Sequence, residues 1–68
     1  MKLQFVGGCD NSDCPKGFLT DRGTLVLQGY KVTDPAAVSA LSLPDGETAV
    51  EIPRSLLDEM TARLRSEL

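Results

Sequence analysis

The stretch "TLVLQGYKVTDPAAVSAL", residues 24–41, changes its hydrophobic period halfway along, and that change decides the fold class. Up to Val32 the pattern is two-residue alternation. Leu25 and Leu27 fall on one side, while Thr24, Val26, Gln28 and Tyr30 fall on the other. A run so rich in β-branched and apolar residues reads as a strand, with Gly29 marking a bulge or bend. From Asp34 onward the period becomes helical. Asp34 can cap the backbone, Pro35 suits the first helical position, and Ala37, Val38 and Leu41 fit one face. A strand running straight into a short helix predicts a mixed architecture.

The flanks extend this pattern. Residues 2–6, "KLQFV", alternate as a half-buried strand, with Gly7-Gly8 expected to end it. After a polar loop, "FLT" at 18–20 can form a short strand, and Asp21-Arg22-Gly23 reads as a hairpin turn. Beyond the helix, "LPDG" (43–46) is a turn and "ETAVEI" (47–52) alternates again, with Val50 and Ile52 inward and Pro53 as its stop. The last segment carries the grammar of a helix. Ser55 with Asp58 and Glu59 resembles a capping box, and Pro53 offers another start. Leu56, Leu57, Met60 and Leu64 line one stripe, and Glu59 and Arg63 form an i,i+4 pair. The predicted order is β-β-β-α-β-α. This is an α+β fold, one domain over residues 1–68, with a small antiparallel or mixed sheet and its helices on one face. Such an arrangement leaves the other face open, so Val26, Gln28 and Tyr30 become candidate interface residues.

The loop "GGCDNSDCPKG" (7–17) holds both cysteines and admits four readings. A structural zinc needs four ligands. The chain has no His, so Cys9 and Cys14 would need Asp10, Asp13 or a second chain. The segment also lacks the ligand spacing of a calcium loop. A disulfide is sterically reasonable, since a turn can bring the two Cα atoms to the required ~5.5 Å. Closing so short a loop contributes about 2 kcal/mol on the chain-entropy model. In a reducing compartment such a bond would not be permanent. A reactive dithiol is disfavoured by the neighbouring carboxylates, which oppose thiolate formation, and by the absence of C-x-x-C spacing. The plainest reading is structural: Asp, Asn, Ser, Gly and Pro make a turn, and the cysteines tuck inward as small apolar groups.

Composition narrows the function classes. Ten acidic and seven basic residues give a net charge of −3, and the basic residues are scattered from Lys2 to Arg65. Nucleic acid binding calls for clustered Lys and Arg, and an anionic membrane surface is disfavoured for the same reason. If the charge is used, it points to a basic protein partner. No apolar run approaches a signal peptide or a bilayer span, so the expected setting is the cytoplasm. With no His, no Ser/His/Asp or Cys/His constellation can be assembled, so neither catalytic nor cofactor-binding residues are expected. Room for a ligand pocket of about 300 Å³ or more is also not expected in so small a domain. At about 60 residues only roughly 60% of the unfolded chain's surface is buried, so small domains often rely on a staple or a partner.

The strings "FVGGCDNSDCP", "TDRGTLVLQGY", "VTDP" and "LPDGETAVEIPRSLL" resemble a group of small acidic proteins of actinomycetes, Streptomyces in particular. The resemblance covers nearly the whole chain. It implies a genomic place beside helix-turn-helix regulators, and hence a role as accessory to a transcriptional regulator. It assigns no functional residue. Two function readings follow: a non-enzymatic protein-interaction module, whose partner is another protein or a second copy, and a redox- or metal-responsive switch built on Cys9 and Cys14.

Overall fold

The computed structural model describes residues 1–9 and 13–66. Along the chain run β1 (Leu3–Gly8), β2 (Lys16–Thr20), β3 (Leu25–Gln28), β4 (Tyr30–Lys31), α1 (Pro35–Leu41), β5 (Val50–Glu51) and α2 (Arg54–Ser66). β1, β2 and β3 form an antiparallel sheet in that order, and β4 and β5 form a separate two-stranded antiparallel ribbon. The expected α+β class is present, with one strand more than the sequence pattern predicts. The long strand of residues 24–32 breaks at Gly29, and its second half pairs with β5 rather than with β2.

The β2–β3 turn forms where Asp21-Arg22-Gly23 places it. Gly23 takes a positive φ of 77°, a conformation that is strained for residues bearing a Cβ. The buried Thr20 hydroxyl accepts from the amides of Arg22 and Thr24 at 3.1 and 3.2 Å, so the turn's own side chain satisfies its backbone.

β1 continues through both glycines that were expected to end it. Gly7 pairs with Gly17 and Gly8 with Lys16, after an irregularity between Phe5 and Gly7. Glycine in a strand often marks the close approach of another element, and here that element is α2. A Cβ on Gly7 would lie 2.8 Å from Met60 Cγ, and one on Gly17 would overlap Met60 Sδ. Val6, Leu56 and Met60 are the buried hydrophobic core, with Leu19, Ile52 and Leu64 packed around it. Gly7, Gly17 and Leu27 are in register on this face, and alternation puts the row Phe5, Phe18 and Val26 on the other. The Phe5 and Phe18 rings meet edge to face, 6.2 Å apart.

Helix boundaries follow local chemistry. Asp34 caps α1 by accepting from the Ala37 amide at 3.0 Å, with Pro35 in its first turn. α1 nevertheless buries nothing: Val38 and Leu41, expected to face a core, are exposed. α2 begins at Arg54, and the Pro53 carbonyl accepts from Leu56 N, so Ser55 lies inside the helix rather than capping it. Glu59 and Arg63, read as a local ion pair, engage β1. Glu59 accepts from Gly8 N at 3.1 Å, and the Arg63 guanidinium carbon sits 5.6 Å from the Phe5 ring centre. No described helix is long and apolar enough to cross a membrane.

Candidate functional site

The residues that could carry function gather where the cysteine loop meets the break at Gly29. β1 leaves the sheet through Gly8, whose φ of 112° and close approach to Pro15 and Lys16 turn the chain sharply. Cys9 and Cys14 are joined as a disulfide, with their Cα atoms 6.2 Å apart. Of the four arrangements the spacing allows, this is the one present, and it differs from a turn with separately tucked thiols. Both cysteines are half-buried. Asp10, the residue on which a metal reading would most depend, lies outside the described residues together with Asn11 and Ser12. Among the described residues no group of three His, Cys, Asp or Glu side chains is placed to hold a metal ion.

On the opposite side stands Tyr30, 63% exposed. Its hydroxyl donates to the Asp13 carbonyl at 3.3 Å, linking β4 to the residue before Cys14. Gly29 lets this happen. A Cβ there would lie 2.6 Å from the Glu51 carbonyl and 2.9 Å from Ile52 Cγ2, so only glycine lets the chain pass β5 at this distance. Tyr30 is then directly opposite Glu51 across the β4–β5 pair.

Two open grooves flank Tyr30 and Pro15. One, of about 490 Å³, is lined by Asp13, Cys14, Pro15, Gln28, Gly29 and Tyr30. The other, of about 430 Å³, is lined by Pro15, Tyr30, Glu51, Ile52 and Pro53. The expectation that so short a chain has little room for a ligand is therefore corrected. The space is not an enclosed cavity in a core but surface relief between two small sheets.

The candidate interface residues separate. Gln28 and Tyr30 meet in the first groove, beside Cys14. Val26, two residues earlier on the same face of β3 as Gln28, is half-buried in the row of Phe5 and Phe18 and lines neither groove. The residues that pattern reading missed are Pro15, Glu51 and Pro53, which line the second groove. Their one signal in the sequence was Gly29, read as a bend. A second omission is the apolar surface next to α2, where Leu25 and Leu27 of the uncharged β3 remain 48% and 39% exposed. No protein-family model, curated protein or solved structure matches the chain.

Proposed function

We propose that this chain is a non-enzymatic protein-interaction module of the cytoplasm, and that its simplest partner is a second copy of itself. One observation carries the reading: the large apolar side chains are mostly outside. Val6, Leu56 and Met60 are the buried hydrophobic residues among those described, whereas Leu25, Leu27 and Leu57 are between 39% and 57% exposed. Full burial of one such side chain is worth about 1.5–3 kcal/mol, so covering several of them adds usefully to a thin core. β3 is also an edge strand of its sheet and carries no charge. Charged residues and proline are the usual guards of such an edge. Twofold pairing of two copies meets both needs with a single contact. Light scattering of the wild type beside Leu27→Asp tests it. The wild type is expected to associate and the variant to be monomeric.

The disulfide favours a second reading, a redox-responsive switch. Its closed form leaves neither sulfur as a thiolate for a metal. That supports the redox form of the switch over the metal form, with the Tyr30 contact to Asp13 as the element that would respond.

A further inference from the structure

We infer that the Tyr30 groove is the seat for an extended basic peptide segment of a partner protein, with one arginine or lysine side chain lying on the Tyr30 ring against Glu51. The inference rests on the reading of the chain as an interaction module and names the chemistry of its partner.

Shape is the first support. Pro15 and Tyr30 line both grooves, so the two lie next to each other on either side of the ring. Prolines and an aromatic side chain present rigid apolar walls that cost little entropy to occupy, which suits an extended chain. The ring is also held in place, because its hydroxyl is bonded to the Asp13 carbonyl.

Charge is the second. Among the described residues, the charged ones lining the grooves are Asp13 in the first and Glu51 in the second, and both are exposed. Glu51 stands directly opposite Tyr30 in the strand pair, and cross-strand neighbours have Cβ atoms about 4.5–5.5 Å apart. A guanidinium can therefore rest on the ring and face the carboxylate at once. Among the described residues no cation pairs with Glu51, so this carboxylate is available. An acidic peptide would meet two like charges and is excluded by the same geometry.

The test is an NMR titration of the isotope-labelled protein with a blocked tetrapeptide of alternating arginine and proline. The control peptide carries citrulline, which keeps the shape and removes the charge. The expected result is shifts confined to the groove amides, those of Asp13 and Cys14, of Gln28 to Tyr30 and of Glu51 and Ile52, weakened by salt and absent with citrulline. Glu51→Gln, an exposed and conservative change, should weaken binding about 3-fold, as for an exposed ion pair with a cation–π contact. Tyr30→Phe should retain binding and Tyr30→Leu should lose it. Equal binding of the citrulline peptide, indifference to Glu51→Gln, or shifts spread elsewhere would overturn the inference. Should the protein associate through Leu27 yet ignore the peptide, this inference fails while the interaction reading stands.

Discussion

Met60 lies on Gly17: the thioether occupies the place where any larger residue at 17 would put its Cβ. With Gly7 opposite Gly17 in the β1–β2 ladder, the two glycines make a flat floor on which α2 settles. Close packing of this kind leaves little slack for added volume. Gly17→Ala should therefore destabilise the fold by about 1–3 kcal/mol, the usual range for overpacking. Met60→Ala should itself cost about 2–5 kcal/mol through the cavity it leaves. Because the two changes share one space, the double variant should be less destabilised than the sum of the singles. Urea unfolding of the four proteins checks it, and strict additivity would show that the contact carries no energy.

The helical stripe of α2 makes a second test. Leu56 and Leu57 are neighbours in sequence, yet Leu56 is 3% exposed and Leu57 57%. The sheet beneath α2 is narrow, so only the 56–60–64 seam reaches it, and Leu57 is left outside. Leu56→Ala should cost about 2–5 kcal/mol. In the monomer, at concentrations too low for association, Leu57→Ala should change stability by no more than about 0.5 kcal/mol, as for other surface positions. Thermal unfolding distinguishes them, and equal losses would place Leu57 in the core after all.

Replacing both Cys9 and Cys14 with Ser should lower stability by about 2 kcal/mol, the chain-entropy value for so short a loop, and leave the fold intact. Reducing the wild type should reproduce that loss. Tyr30 is the single tyrosine and there is no tryptophan, so intrinsic fluorescence reports on the contact beside Cys14. It should change on reduction. Complete unfolding of the double variant would mean that the loop does more than close a turn. No response at all to reductant would mean that the disulfide is not formed in solution.

Features set by a few adjacent residues were legible from the sequence. Asp34 and Pro35 announce α1, Asp21-Arg22-Gly23 announces the hairpin, and alternation announces β1 and β3, because each is decided by local backbone chemistry. What depends on distant parts of the chain was not. Gly7 and Gly8 look like strand breakers until Met60 and Lys16 approach them, and α1 has a helical apolar face that finds nothing to cover. The grooves escape pattern reading altogether, since Pro15, Tyr30 and Pro53 come together only after two sheets have formed. Alternation puts Gln28 and Tyr30 together on one open sheet face. Gln28 is exposed on β3, paired with Lys16 within that sheet, whereas Tyr30 is exposed for a different reason, because it lies beyond the break at Gly29 and pairs with β5 instead.

The proposed interaction role predicts that this chain does not remain alone at working concentration. Fluorescence-detected sedimentation velocity of a labelled protein, at micromolar concentration in buffer and again in cell extract, measures this directly. The wild type should sediment faster than a 68-residue monomer in at least the extract, and in buffer as well if the partner is a second copy. Leu27→Asp, which places a charge in the exposed row beside α2, should return it to the monomer. Sedimentation of the wild type as a monomer in both media, indistinguishable from Leu27→Asp, would contradict the proposal.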